Sequence, residues 1–424
     1  VKNKSAILLL LLANSVSGVA QGISMLAIPW YFTSIIHREG LFGQMYFVVT
    51  VVSLMWGLYA GTIVDRYDRR KLFLAINLAG GFVMSAIAIT GFALGSLHWI
   101  FVAMSFANTV FIYNIHFPNL YAYAQEITSK EDYHSVTSTI EIQGQITFTL
   151  AGGIAAIMLS GLDNGLNLGS LHIPLPFVVK AWKIHEIFAI DAVTYFISFF
   201  LISRIQSMQI ADKKVDTGSL YERLKTGITF LRKHILLFHF GNVSLLLFLT
   251  ILLNGTFIMP LYVEKFLHKG ADVYALGDMA FSFGAMIAGL VSTRIFAGKE
   301  LKGIILLNFI AAALYAVLMF NTNFPLFFLI SFVIGSCNAA VRIQRITYIF
   351  THTPNRIIGR SGSIFFMVNV IERLLLIAAF SMPFFHSNTN IIYAVGILSL
   401  ICLFASVFLT VKYKALQEFK TVNE

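Results

Sequence analysis

The chain alternates long apolar runs with short polar breaks. Twelve runs approach or exceed the roughly 20 residues that cross a bilayer's hydrocarbon core: 6–32, 41–64, 72–92, 97–124, 136–160, 184–205, 236–262, 273–296, 303–320, 324–349, 362–385 and 390–412. The runs are continuous and lack the period-two alternation of a membrane β-barrel. The pattern predicts an all-α polytopic membrane protein of twelve transmembrane helices. The fifth run is the least apolar, because Glu141, Gln143 and Gln145 interrupt it. The first opens like a signal peptide, with Lys2 and Lys4 ahead of apolar residues. It continues to Phe32 with no soluble domain behind it, so it is expected to be the first spanning helix.

Composition supports this pattern. Hydrophobic residues make up 58% of the chain and charged residues only 12%, against about 25% charged in soluble domains. The 40 Phe and 16 Tyr suit lipid-facing and interfacial positions. The net charge of +10 would fit a nucleic-acid partner only if clustered on one surface. It is instead spread over short loops, so no nucleic-acid partner is expected. With the N-terminus inside, 24 Lys/Arg fall on the cytoplasmic side and five outside (Arg38, Lys180, Lys183, Lys265, Lys269), while Arg373 lies within a span. That bias predicts both termini in the cytoplasm. The two cysteines, Cys337 and Cys402, lie in separate apolar runs, so no disulfide framework or metal cluster is expected.

The halves echo each other. Asn14 and Asn242 are 228 residues apart, as are Gly61 and Gly289, and Thr293-Arg294 stands where the first half has Asp65-Arg66. The expected organisation is a six-helix bundle over 1–205, a basic linker over 206–235 containing an amphipathic helix, and a second six-helix bundle with a short tail over 236–424. Duplicated bundles of this kind are one plan of secondary transporters.

Between the second and third runs, Gly61-x-x-x-Asp65-Arg66-x-x-Arg69-Arg70 resembles the loop 2–3 signature of the major facilitator superfamily, with Asp68 where the pattern has glycine. Further features resemble the branch containing macrolide-efflux proteins and the enterobactin exporter. They are Asp191-Ala-Val-Thr-Tyr-Phe, the amphipathic Leu220–Lys233 stretch, Phe117-Pro118, Gly359-Arg360, and the glycines Gly144, Gly152 and Gly153. The proline expected among those glycines is absent, since Phe148-Thr149 stands there. The resemblance implies two pseudo-symmetric bundles, a monomer, and a central cavity lined by spans 1, 4, 7 and 10. It also implies a gate in which Asp65, at the end of span two, meets the start of span eleven. That start is read as Arg360-Ser361-Gly362, where free amides and the helix dipole favour a carboxylate. Gly61, Arg66, Arg69 and Arg70 complete the gating segment, its bases doubling as positive-inside anchors.

Ionisable groups inside spans are costly and usually face a cavity or a partner. Glu141 and Glu372 are the candidates for proton coupling, because burial lets a carboxylate load and release a proton. A structural hydrogen-bonding role is the alternative for Glu141. Gln145 shares a face with Glu141, and Asn369 lies one turn before Arg373, whose guanidinium suits an anionic group. Asp191 and Asp278 read as interfacial. Asn14, Gln21, Asn114, His116, Asn119, Asn254, Asn338 and Gln344 fall on the four cavity-lining spans. They are the candidate substrate cavity, together with Gln145, Asn369 and Arg373. The sequence lacks a Gly-rich loop ending in Lys-Ser/Thr, a His-Glu-x-x-His and a nucleophile elbow, so neither an enzyme nor ATP-driven transport is expected. No cofactor follows from the residues.

These features lead to an expected secondary transporter that exports an amphipathic small molecule, a drug or a siderophore-like metabolite, in exchange for protons. Two alternatives stay open: an importer or lipid flippase of the same fold, and a non-transporting receptor or assembly subunit.

Overall fold

The computed structural model describes residues 4–128, 132–162, 166–168, 171–173, 178–205, 220–387 and 389–419. The first half holds α1 (Lys4–Trp30), α2 (Glu39–Arg66), α3 (Arg69–Leu94), α4 (Trp99–Ile127), α5 (Tyr133–Ser160) and α6 (Ile184–Ser203). Between α5 and α6, β1 (Leu166–Leu168) and β2 (Leu171–Ile173) form an antiparallel pair, with Leu166 opposite Ile173. Gly161 begins this connection at φ +73°, and a Cβ there would lie 2.6 Å from the Val179 carbonyl oxygen, so only glycine makes the turn without strain.

The amphipathic stretch of the linker forms α7 (Leu220–Lys233). It packs on α14 (Asn355–Phe380), where a Cβ at Gly227 would lie 2.8 Å from the Arg360 carbonyl oxygen. The seventh span, expected as one helix, is broken into α8 (Ile235–Val243), α9 (Leu246–Leu253) and α10 (Met259–Leu261), with wide turns at Asn254–Ile258 and Tyr262–Phe266. Pro260 explains part of the break: it has no N–H to donate and its ring crowds the preceding turn, which the wider π-type turn accommodates. The remaining elements are α11 (Ala271–Ile295), α12 (Glu300–Leu318), α13 (Phe324–His352), α15 (Pro383–His386), α16 (Ile391–Val411) and α17 (Tyr413–Glu418). Among the described residues, twelve helical segments are long and apolar enough to cross a membrane, and all twelve expected runs are found.

The same backbone cap ends the first and seventh spans. His37 and His268 both adopt positive φ, at 49° and 52°. In the first span Ile36 N donates to Tyr31 O and Arg38 N to Phe32 O; in the seventh, Leu267 N donates to Tyr262 O and Lys269 N to Val263 O. These bonds satisfy carbonyls that a helix end otherwise leaves free. The caps are 231 residues apart, against 228 for Asn14 and Asn242. The first span has one wide turn, Tyr31–Ile35, before its cap; the seventh has two and carries three more residues between these landmarks.

The chain forms two compact units. The first comprises Val1–Arg38, Val48–Asp216 and Gly270–Met279, and within it α6 packs on α3 and α1, and α5 on α1. Phe73, Phe106, Phe188 and Tyr195 are among its fully buried side chains. The second comprises Glu39–Phe47, Thr217–Lys269 and Ala280–Glu424, and within it α12 packs on α13 and α16. Lipid tails are as apolar as leucine, so close packing between spans takes the place of the hydrophobic effect. Gly284 and Gly335 show this: a Cβ on either would overlap a backbone carbonyl of the facing helix, Phe332 for the first and Phe281 for the second.

Candidate functional site

In the first unit, polar groups on α1, α4 and α5 join into one network. Asn14 Nδ2 donates to Gln143 Oε1 at 2.6 Å, and Asn14 Oδ1 accepts from His116 Nε2 at 2.8 Å. Gln143 Nε2 continues the chain to Ser15 Oγ at 2.8 Å and Thr147 Oγ1 at 3.3 Å. The Phe73 ring meets His116 edge-on, with centroids 5.3 Å apart. Small residues make the network possible. Cβ atoms on Gly18 and Gly22 would lie 2.8 Å from Thr147 and 2.6 Å from Ala151, so bare backbone on α1 lets α5 approach within hydrogen-bonding reach. Gln143 was not among the expected site residues. Its signal was its position between Glu141 and Gln145, but the partner lay more than a hundred residues away.

The other expected residues of this unit separate by environment. Glu141, expected to be buried, is exposed and accepts from Tyr121 Oη at 2.6 Å. Gln145 is half-buried. Asn114 Nδ2 donates to Ser53 Oγ at 2.7 Å, and Gln21 Nε2 donates to Ser17 Oγ on its own helix at 2.8 Å. Asn119, expected in a cavity, is fully buried, with Nδ2 donating to the Arg69 carbonyl oxygen at 2.9 Å. It ties α4 to the start of α3.

In the second unit, Gln344 is buried and donates to Ser292 O at 3.3 Å. Asn254 is buried at the start of the first wide turn. Asn338 is half-buried, and Asn369 is buried with Nδ2 lacking a hydrogen-bond partner among the described residues. Glu372 and Arg373 are adjacent on α14 but make no ion pair with each other, as expected for neighbours about 100° apart on a helix. Glu372 Oε2 and Arg373 Nε are buried without a hydrogen-bond partner among the described residues.

The signature segment does more than anchor charges. Asp68 is the N-cap of α3, accepting from Lys71 N at 2.7 Å with φ −58°. No left-handed residue is needed there, so aspartate replaces the signature's glycine without strain and satisfies a free helix amide. Arg69 donates to Ala122 O at 2.9 Å and pairs with Glu126 at 3.2 Å, while Arg70 donates to Ser203 O at 2.6 Å. These two arginines tie the ends of α4 and α6 to the start of α3. Arg66 is exposed. Gly61 and Asp65 lie on α2, and their side chains are outside the described residues.

Two expectations need correction. The helix carrying the eleventh span does not start at Arg360-Ser361-Gly362: α14 begins at Asn355 after Pro354, and Ser361 is fully buried. The amides of residues 360–362 already lie inside the helix, so the dipole argument for Asp65 loses its footing there. The helix also ends at Phe380, not 385, with Pro383 opening the separate turn α15. Asp191 is not interfacial: it is fully buried and accepts from Ser24 Oγ at 2.9 Å, joining α6 to α1. Its place near a span's end suggested water, but its face of α6 turns inward onto α1. Asp278 is half-buried.

The family model for the Major Facilitator Superfamily matches residues 10–376. The chain belongs to that superfamily. It is 21% identical over 286 residues to macrolide efflux protein A of Streptococcus pyogenes, covering 65% of this chain and 63% of that one. It is 28% identical over 96 residues to the multidrug efflux pump Tap of Mycobacterium tuberculosis, 22% of each chain. The chain thus spans less than two thirds of these relatives' length. In fold it is similar to the crystal structure of the nucleoside transporter NupG, with TM-score 0.68, 13% identity, and 98% and 100% of the two chains covered. This superfamily member is a multi-pass membrane protein, with twelve helices among the described residues long and apolar enough to cross a membrane.

In the exporter-like glycine set, Gly152 is packed most closely: a Cβ there would lie 2.8 Å from Met279 N and 2.9 Å from Ala275 O of α11. A Cβ on Gly153 would lie 3.1 Å from Met279 Sδ, and one on Gly144 would meet nothing within 4 Å. Close helix packing accounts for Gly152, but not for Gly144.

Proposed function

We propose that this transporter exports an amphipathic small molecule, a drug or siderophore-like metabolite, in exchange for protons. The observation that carries the proposal is the joined polar network of Asn14, His116 and Gln143 across three spans, with Glu141 nearby on the same helix as Gln143. An exposed carboxylate within a span favours water over acyl chains, and Glu141 accepts from a tyrosine hydroxyl. Glu372 is the second coupling candidate, with a buried oxygen free of hydrogen-bond partners among the described residues. The similarity to macrolide and multidrug efflux proteins supports export over import. The positive-inside bias supports a cell-membrane location with both termini in the cytoplasm. The chain's own contacts favour no particular oligomer, and it acts as a monomer in this reading.

The mechanism needs a site that accepts substrate and proton alternately. Substrate would meet the Asn14–His116–Gln143 network, whose amides and imidazole offer both donors and acceptors to a neutral or weakly polar group. Proton loading at Glu141 would remove the negative charge and with it the charge assistance of the Tyr121 Oη bond. The paired states then differ in charge and hydrogen bonding, as exchange requires. The test is pH-gradient-driven movement of the macrolide erythromycin in proteoliposomes. Glu141→Gln and Glu372→Gln should fold, and at least one should lose gradient-driven transport. Unchanged transport in both variants overturns the coupling assignment. Transport into vesicles along the proton flow would instead favour import.

A further inference from the structure

A second polar position in the C-terminal unit has a different character from the network above. A cavity of about 480 Å³ lies among α8–α9, α14 and α16, within the size range of small-molecule sites. Its lining is aliphatic or aromatic except for Asn242 and Glu372. Leu375, Leu400 and Phe404 form part of its wall and are 69%, 65% and 55% exposed. On spanning helices such a rim meets acyl chains, so the groove opens toward the bilayer. The two polar residues offer unpartnered acceptors. Asn242 Nδ2 is used by Phe238 O at 2.8 Å, while Asn242 Oδ1 and Glu372 Oε2 are buried with no hydrogen-bond partner among the described residues. Among the described residues, no Lys, Arg or His lines the cavity.

Two buried, unpartnered acceptors in an apolar groove define their complement: N–H donors carrying positive charge on an apolar body. We propose that this groove is a bilayer-facing binding site for lipophilic amines. The ammonium group would donate to Glu372 and Asn242, and the apolar body would lie along Leu246, Leu400 and Phe404. An aminolipid headgroup is a poorer fit. Glu372 lies eight residues before Phe380, where α14 ends, or about 12 Å along the helix at 1.5 Å per residue, deeper than a headgroup's normal position. The site goes beyond the transport reading, because it requires neither a pH gradient nor a direction.

The test is equilibrium binding of dansylcadaverine, a primary alkylamine carrying an aromatic dansyl group, to the whole protein in phosphatidylcholine nanodiscs without a pH gradient. Its N-acetylated form is the neutral control. Saturable binding is expected to weaken about tenfold in Glu372→Gln, equivalent to about 1.4 kcal/mol, and several-fold in Asn242→Leu. The acetylated probe should bind weakly and alike to wild type and Glu372→Gln. Leu400→Trp, which fills the groove without touching a polar group, should abolish binding; thermal unfolding of each variant separates lost binding from lost fold. Equal affinity in wild type, Glu372→Gln and Leu400→Trp would overturn the proposal, as would equal weakening of both probes by Glu372→Gln. Displacement by phosphatidylethanolamine at lipid-like ratios would also overturn it, in favour of a lipid site. Unchanged binding in Glu372→Gln with coupling lost would refute this proposal alone; weakened binding in Glu372→Gln with coupling retained in both carboxylate variants would refute the exchange reading alone.

Discussion

Replacing Asn14 with leucine removes a side chain that makes both central bonds of the α1–α4–α5 network. Gln143 Oε1 and His116 Nε2 would each lose a partner, while Gln143 would keep Ser15 and Thr147. Hydrogen bonds between spanning helices contribute about 0.6 kcal/mol on average and reach about 1.7. Two bonds therefore set an expected cost of about 1 kcal/mol, with a ceiling of about 3. Leucine is close to asparagine in volume, so little of this should come from a cavity. Gln21→Leu is the matched control, because the one hydrogen bond recorded for Gln21 is to Ser17 on its own helix; its cost should stay below about 0.6 kcal/mol. Reversible unfolding in mixed micelles measures both variants. A double-mutant cycle with His116→Leu should return a coupling of about 0.6 kcal/mol. Indistinguishable costs for Asn14→Leu and Gln21→Leu, or zero coupling, would refute the network.

Other substitutions test separate parts of the fold. Arg69→Ala should destabilise by about 1–3 kcal/mol, since hydrogen bonds to charged groups are strong and this side chain is largely buried; unfolding in detergent reads this, and a loss below about half a kcal/mol would show the tie to α4 is slack. Gly335→Ala should cost about 1–3 kcal/mol by overpacking, whereas Gly289→Ala, which meets nothing within 4 Å, should be neutral or gain up to about 1 kcal/mol in helix propensity. Melting temperatures of the pair decide this, and the order should not reverse. His386, on the short turn outside the spans, has its pKa lowered from the ordinary 6.5 by burial, the carbonyl of Phe380 and the Glu39 charge opposing and Lys265 adding to that fall. A depressed histidine binds fewer protons folded than unfolded, so stability should hold above pH 6.5 and decline as pH falls through it. Melting curves from about pH 8 to about pH 5 should show that decline, and His386→Gln should flatten it.

The apolar runs were legible because a spanning helix must be apolar almost throughout, whatever it packs against. Helix ends were less so: Pro354 sets the start of α14, well before the Gly359-Arg360 pair that resembled a helix entry, and Pro383 closes it early. Asn14 and His116 were legible as polar residues within spans, but not as partners of each other or of Gln143. Asn14 reaches His116 and Gln143 across more than a hundred residues each, a link that depends on helix rotation. Rotation also decided Asp191 and Asn119, whose faces turn into the bundle. Glu141 went the other way, onto an exposed face, where Tyr121 reaches it. The Asp68 cap, by contrast, is local and follows from three residues of spacing.

The exchange of protons for substrate is tested most directly by proton movement caused by substrate. Proteoliposomes containing pyranine at equal pH inside and out are given an outward erythromycin gradient. The account predicts that protons move inward as the drug leaves, acidifying the lumen, with the signal lost in the coupling-deficient carboxylate variant. No proton movement, or movement in the same direction as the drug, would contradict it.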